Sequence, residues 1–190
     1  MKSTLIAALL AATATVASAA PEKYTLDSSH SQIVFQYNHL GFSTTWGMFS
    51  GFEGEIMFDA EAPADSSVTV EFPTASLITG WDERTTHFLT ADFFDAEAAP
   101  AISFVSTGIE VTGEKTANIT GDLTINGVTK SIVLDTVMNQ MGDHPMAGKP
   151  WVGFNATTTV VRSEFDMGMY APYVSDEVAI QISIEAMKAE

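Results

Sequence analysis

The chain contains no cysteine and few cations. Without cysteine it can form no disulfide, no zinc–thiolate site and no lipid-modified N-terminal cysteine, and it lacks a thiol nucleophile. Only 8 Lys and Arg stand against 24 Asp and Glu, which gives a formal net charge of −16 at pH 7. A surface of this charge repels phosphate backbones and anionic headgroups, so we expect neither nucleic-acid binding nor broad membrane adsorption. The charge is typical of a highly soluble protein.

Long apolar runs are also scarce, and the one at the N-terminus is short. Lys2 precedes an uncharged run over residues 4–16, and Ala17-Ser18-Ala19 matches the small-x-small pattern that signal peptidase accepts. The run falls short of the roughly 20 residues that a membrane-spanning helix needs. We therefore predict a signal peptide over residues 1–19 and a single soluble domain over residues 20–190, exported without stable membrane insertion. A bacterial periplasm fits this export, and the cell exterior is the alternative.

Short segments with a period of two recur through residues 20–190, which is the pattern of half-buried β-strands. The last segment is the clearest, because five apolar residues alternate with mostly polar ones. Residues 33–37, 68–72, 119–125 and 152–160 alternate in the same way. The apolar positions of the last segment are Val178, Ile180, Ile182, Ile184 and Ala186.

Turn residues separate these segments. Asn126-Gly127 predicts a type I′ hairpin, because both central residues of that turn need positive φ. Glycines at positions 47, 51 and 54 predict a bulge or bend within residues 45–59. One helix is predicted over residues 81–91 and an irregular loop over residues 141–150. The pattern predicts an all-β fold, an extended antiparallel β-barrel of about eight strands with one short inserted helix.

Five motifs give the chain a resemblance to a known family. They occur in this order: Tyr24-x-x-Asp27-x-x-His30-Ser31-x-Ile33-x-Phe35; Gly47-x-Phe49-x-x-Phe52-x-Gly54; Arg84-x-x-His87-Phe88-Leu89-x-x-Asp92-Phe93-Phe94-Asp95 with Pro100-x-Ile102-x-Phe104; Gly121-Asp122-Leu123-Thr124-Ile125-x-Gly127-Val128-Thr129-Lys130; and Arg162-Ser163-x-Phe165. Together they resemble the YceI-like family of periplasmic polyisoprenoid-binding proteins, over essentially all of residues 20–190.

This resemblance implies a lipocalin-like barrel whose interior holds a long isoprenoid chain. The ligand would be a prenyl quinone, a prenyl phosphate or a similar long-chain amphiphile, and no other cofactor would be required. Two residues depart from the family's usual pattern. Thr85 stands where Asp often follows the arginine, and Asp166 stands where Gly often follows Arg-Ser-x-Phe.

Bulky apolar side chains are the candidate lining of such a pocket, and Arg84 is the candidate contact for a headgroup. The chain has 12 Phe and 9 Met, which can line an apolar slot without demanding hydrogen bonds. The alternatives are that the aromatic residues pack a dry core and that Arg84 forms an ion pair with Asp92 or Asp95. The predicted ligand-binding residues are Phe35, Phe52, Phe58, Trp81, Arg84, Phe88, Phe93, Phe94, Phe104 and Phe154.

Catalysis and metal binding find less support in the sequence. His30 and His39 are interpreted as structural histidines rather than metal ligands, and His144 has no evident partner. No Gly-x-Ser-x-Gly elbow, phosphate-binding loop or zinc-protease helix occurs. We therefore predict a carrier and not an enzyme. The alternatives are an enzyme acting on a bound lipid and a ligand-free structural module, and the sequence leaves open whether two copies form a homodimer.

Overall fold

The computed structural model describes residues 20–190, so the predicted signal peptide lies outside the described residues. This part of the chain forms ten strands and one α-helix, with short 3-10 turns at Pro63–Asp65, Thr74–Ser76 and Arg162–Phe165. The elements are β1 (Glu22–Leu26), β2 (Gln32–His39), β3 (Ser43–Phe49), β4 (Glu53–Phe58), β5 (Ser67–Pro73), α1 (Asp82–Phe88), β6 (Ala101–Val111), β7 (Thr116–Ile125), β8 (Val128–Asp143), β9 (Pro150–Val161) and β10 (Glu177–Lys188).

The strands form one antiparallel sheet that closes on itself. Its order is β1-β4-β5-β6-β7-β8-β9-β10, and β10 pairs back onto β1 through Leu26 and Ala186. The β2–β3 hairpin continues the ring, because β2 lies along the same edge of β10 as β1. The ten segments thus occupy eight positions in the wall. The all-β fold with an eight-stranded barrel and one short helix is confirmed.

Local elements follow the sequence patterns closely, with two differences in length. Asn126 and Gly127 have φ of 51° and 72°, as a type I′ turn requires. The helix covers Asp82–Phe88 and is shorter than predicted. The irregular loop is also shorter than predicted, because the β8–β9 ladder extends as far as the pair Asp143 and Pro150. Backbone pairing with a neighbouring strand prevails there over a local sequence rich in turn residues.

The predicted alternation places one face of each strand inside the barrel. The side chains of Phe35, Ile56, Phe104 and Val152 are buried in one continuous cluster there. Aromatic rings pack edge to face along this cluster, as with Phe49 and Phe94 at 5.4 Å between centroids. Within the described residues, no helix is both long enough and apolar enough to cross a membrane.

Two aromatic rings lie against glycines of the neighbouring strand. A Cβ atom on Gly47 would lie 2.2 Å from Cζ of Phe35, its direct partner across the β2–β3 ladder. A Cβ atom on Gly121 would lie 2.3 Å from Cζ of Phe104. Each ring therefore covers the backbone of the next strand. The two glycines let these rings lie flat along the wall.

A hydrogen-bonded cluster holds the chain where β1 passes into β2. Asp27 accepts from the backbone and hydroxyl of Ser29, and its Oδ2 lies 2.7 Å from Nδ1 of His30. Desolvation opposes the shift, but the hydrogen bonds from Ser29 and His30 hold the pKa of the Asp27 carboxyl below its usual value. The hydrogen bond and the charge of Asp27, with the charge of Glu185, raise the pKa of His30.

We predict that the Gly47→Ala substitution displaces the Phe35 ring toward the barrel axis. The added methyl group would lie well inside the carbon contact distance of about 3.5–4 Å, and the ring is easier to move than the backbone. We expect a loss of about 1–3 kcal/mol in the free energy of unfolding. A crystal structure and urea unfolding would measure both effects. Gly153→Ala is the control, because its Cβ atom would meet only Ile184 O at 3.8 Å. An unmoved ring with β3 shifted outward would contradict the prediction.

We also predict that Asp27 and His30 stabilise the fold within one pH window. The lowered pKa of Asp27 gives stability that is present above about pH 3.8 and is lost as the pH falls through its folded pKa. The raised pKa of His30 gives stability that is present below about pH 6.5 and is lost as the pH rises through its folded pKa. A double-mutant cycle of Asp27→Asn and His30→Gln, measured by urea unfolding, should give its largest coupling energy between these values. Equal coupling at pH 5 and pH 9 would show that the ion pair contributes nothing.

Candidate ligand-binding site

The interior of the barrel holds two adjoining cavities. The larger, of about 440 Å³, lies at the end of the barrel where α1 is inserted, and we call it the helix-side cavity. The smaller, of about 250 Å³, lies toward the opposite end, and we call it the far cavity. Ile33, Ile125 and Ile180 border both, so the two cavities meet at these side chains. Together they run along the barrel interior.

The segment between β5 and β6 positions the aromatic side chains of the helix-side cavity. Phe88, at the end of α1, packs against Tyr37 of β2 at 6.1 Å and against Phe93 at 4.9 Å between ring centroids. The turn after the helix is fixed by backbone hydrogen bonds from Phe94 to Phe88 and from Asp95 to Thr90, of 3.0 and 2.9 Å. This segment lays α1 and its aromatic residues across one end of the barrel.

Strand alternation supplies the other walls of the helix-side cavity. The inward face of β2 presents Ile33, Phe35, Tyr37 and His39, and its partner β3 presents Ser43 and Thr45 near the mouth. Apolar side chains form most of the deeper part, and the exposed polar residues His39 and Ser43 lie toward the outside. The remaining lining residues are Phe49, Trp81, Arg84, His87, Phe88, Phe93, Phe94, Ile102, Ile125, Val160, Arg162, Met167, Tyr170, Val174, Val178 and Ile180.

The far cavity is lined mainly by aliphatic and aromatic residues of β4 to β10. Phe58 and Phe154 meet there edge to face, with 5.8 Å between centroids. The inward residues Ile182 and Ile184 of β10 continue its wall beyond Ile180. Its polar lining includes Glu114 and Lys115 in the β6–β7 turn and Thr136 and Thr158 in the wall. An apolar chain could lie along these walls without leaving a polar group unpaired.

All ten residues predicted for ligand binding border one of the two cavities. The structure brings six of them together around the helix-side cavity and four around the far cavity. Their contact with a ligand stays a prediction. The first group is Phe35, Trp81, Arg84, Phe88, Phe93 and Phe94, and the second is Phe52, Phe58, Phe104 and Phe154.

Arg84 does not form an ion pair with Asp92 or Asp95 in the described structure. Its Cζ lies 5.7 Å from the centre of the Trp81 ring, which is a cation–π arrangement. The Oδ2 atom of Asp92 instead lies 3.3 Å from Nε2 of His87. Within residues 20–190, no ion pair joins Arg84 to a carboxylate. Arg84 as a residue is half-buried, and it borders the helix-side cavity.

Arg162 is a second cation beside this cavity, and it has a different environment. Its side chain is buried, and its guanidinium donates to the carbonyls of Ser175, Val174 and Met169 at 2.7–2.9 Å and to that of Met167. Burial lowers the pKa of Arg162, and the charges of Asp176 and Tyr37 act against that shift. Four carbonyls thus occupy four of its five N–H donors, and Arg162 ties the β9–β10 connection together.

Asp166 and Thr85, the two residues that depart from the pattern of the resembled family, each have a defined local conformation or set of hydrogen bonds. Asp166 takes a left-handed conformation with φ of 58°, which is unfavourable for most residues and easy for the glycine that often stands there. The hydroxyl oxygens of Thr85 and Thr79 lie 2.8 Å apart, and the Thr85 hydroxyl also donates to Trp81 O at 3.3 Å. Thr85 therefore fixes the start of α1 by hydrogen bonds and not by a charge.

Sequence reasoning missed several residues of the helix-side cavity. Tyr37 and His39 continue the alternation that identified Phe35, so the strand pattern was sufficient to find them. Arg162 belongs to a quoted motif, but no pattern showed that its segment folds back over the barrel end. Met167 and Tyr170 lie in the same connection, whose path depends on the buried Arg162.

Ser, His and Asp also meet outside the barrel, at the β1–β2 connection. Ser29 Oγ and Asp27 Oδ2 lie 3.0 and 2.7 Å from the same ring nitrogen of His30. A catalytic triad needs the serine and the carboxylate on different ring nitrogens. Asp27, His30 and Glu185 also bring possible metal ligand atoms within 4.8 Å of one another. Glu185 already accepts from Trp151 Nε1 at 2.8 Å, and Asp27 from Ser29, so these groups are joined by hydrogen bonds within the protein.

Comparison with known proteins agrees with this architecture. The profile of the YceI-like domain matches residues 24–186. A UPF0312 protein of Pseudomonas putida (strain W619) is 39% identical over 173 residues, covering 90% of this chain and 88% of that protein. A UPF0312 protein of Ectopseudomonas mendocina (strain ymp) is 36% identical over 190 residues, covering 99% of each.

Solved structures show the same fold. BcnA of Burkholderia cenocepacia superposes with a TM-score of 0.76 at 26% identity, over 84% of this chain and 98% of BcnA. The YceI protein of Campylobacter jejuni gives 0.73 at 30% identity, over 80% and 90% of the two chains. A polyisoprenoid-binding domain from Saccharophagus degradans gives 0.68 at 12% identity, over 87% and 98%, and shows the fold alone. By its matched domain, its relatives and its barrel, this chain belongs to the YceI-like family.

Proposed function

We propose that this protein holds a polyisoprenoid or similar long-chain amphiphile inside its barrel, and that it carries or stores this lipid without converting it. The observation that carries the proposal is the pair of adjoining apolar cavities within one closed wall. The helix-side cavity alone falls within the roughly 300–1,000 Å³ of small-molecule sites. The name of the Saccharophagus degradans domain supports a polyisoprenoid as the ligand class.

The energetics favour a long apolar tail. Burial of each CH₂ group contributes about 0.8 kcal/mol, so a long chain gains affinity from many weak contacts. The bordering isoleucine and phenylalanine side chains offer such contacts along both cavities. A headgroup would remain at the mouth of the helix-side cavity, beside Arg84. The tail therefore supplies most of the affinity in this proposal.

The same proposal includes export. The sequence of residues 1–19 supports a signal peptide, and the absence of cysteine suits a barrel that needs no disulfide. The mature protein would then work in the periplasm. There it could move or store a lipid whose apolar chain water does not dissolve.

The first experiment is extraction of protein purified from the osmotic-shock fraction of its own organism. We expect organic solvent to release about one long-chain apolar molecule per protein, identified by mass spectrometry and unchanged after prolonged incubation with the protein. Chemical conversion of that molecule with turnover would favour the enzyme that acts on a bound lipid. Release of no lipid, with no lipid taken up on refolding, would favour the ligand-free structural module.

The second experiment separates cavity walls from dry packing by means of two matched substitutions. Phe165 is 1% exposed and borders neither cavity, so Phe165→Ala should cost about 3–5 kcal/mol of apoprotein stability. Phe154 is only half-buried and borders the far cavity, so Phe154→Ala should cost less stability. It should instead weaken the binding of a long-chain lipid more than that of a short-chain one. Urea unfolding and fluorescence competition would measure these effects, and equal stability losses with unchanged lipid affinity would contradict a lipid in the far cavity.

A further inference from the structure

Arginine and histidine side chains border the helix-side cavity, and carboxylates do not. The former are Arg84, Arg162, His39 and His87, and the described lining contains no Asp or Glu. This composition contrasts with the chain as a whole, in which 24 acidic residues stand against 8 Lys and Arg. An anion in this cavity would therefore meet cations in a protein whose surface otherwise repels it.

Arg84 is the cation with donors available to a ligand. Its guanidinium stacks beside the Trp81 ring and forms no ion pair within the described part of the chain. Its neighbours Asp82 and Glu83 are exposed in the first turn of α1 and do not border the cavity. The exposed Asp92 lies against His87 at 3.3 Å. The fork of donors on an arginine matches the oxygens of a phosphate or a carboxylate.

Arg162 adds a buried positive charge behind this position. All of its recorded acceptors are neutral backbone carbonyls. The carboxylate of Asp176 acts on the charge of Arg162, but both of its oxygens accept hydrogen bonds from Ser163. In the poorly solvated interior this charge acts over a longer range than it would in water. It therefore favours a negative group in the helix-side cavity without contacting it.

We propose that the helix-side cavity selects amphiphiles with an oxyanion headgroup, which is a phosphate or a carboxylate. This inference rests on the proposed function. The headgroup accepts hydrogen bonds from Arg84 at the mouth, and the apolar tail runs past Ile180 toward the far cavity. Arg84 is then the residue that discriminates between charged and neutral ligands, whereas the apolar walls bind both.

The test compares farnesyl phosphate with farnesol, which share one hydrocarbon chain, by isothermal titration calorimetry below their aggregation concentrations. We expect the wild-type protein to bind the phosphate at least about tenfold more tightly, as one charge-assisted hydrogen bond would give. Arg84→Ala and Arg84→Gln should both remove this preference while the affinity for farnesol changes little. Lys130→Ala is the matched control, because it removes one exposed positive charge that does not border either cavity.

Each outcome decides one question. Equal or tighter binding of farnesol by the wild-type protein would overturn the oxyanion selectivity and leave the lipid-binding proposal standing. A phosphate preference that persists in both Arg84 variants, or that Lys130→Ala removes equally, would also overturn it, because the source would then be another charge or the net charge. Binding of neither compound, nor of longer prenyl chains, would overturn the proposed function and this inference with it.

Discussion

Closure of the sheet between β1 and β10 is the constraint on which the rest of the structure depends. Only three residue pairs join these strands, Tyr24 to Lys188, Thr25 to Met187 and Leu26 to Ala186, and β2 then continues along the same edge. A closed antiparallel sheet satisfies its backbone groups within the wall and leaves an interior that side chains need not fill. Both cavities lie inside the ring that the β1–β10 pairing closes.

The barrel separates two chemical environments that its sequence mixes residue by residue. Alternation along each strand sends apolar groups inward and most of the acidic residues outward. The exterior therefore keeps the protein apart from anionic surfaces, while the interior offers apolar contact. At the end closed by α1 this separation is incomplete, since Arg84, His39 and His87 border the cavity there. The charge pattern thus gives the two ends of the interior different characters.

The strand pattern predicted most of the fold, because a period of two fixes which face is buried once the sheet has one dry side. Ile180 and Phe35 were placed inward on that basis, and the turn at Asn126-Gly127 followed from backbone sterics. The length of the β8–β9 ladder was not predictable in this way, since pairing depends on a partner strand and not on local composition. The path of residues 162–176 also escaped prediction, because it is set by carbonyls that converge on the buried Arg162.

The outer edge of β3 gives the barrel wall a seam. Beyond its ladder with β2, the described pairings of β3 are limited to one bridge between Met48 and Ile78. Side chains of the α1 segment border the helix-side cavity together with Ser43 and Thr45, and Phe94 packs against Phe49 of β3 with 5.4 Å between ring centroids. Parting this seam breaks aromatic contacts and the two backbone hydrogen bonds between Met48 and Ile78, but no longer ladder. Within the described wall, the outer edge of β3 is thus held by few backbone hydrogen bonds, and we expect the barrel to open there before it opens along any of its ladders.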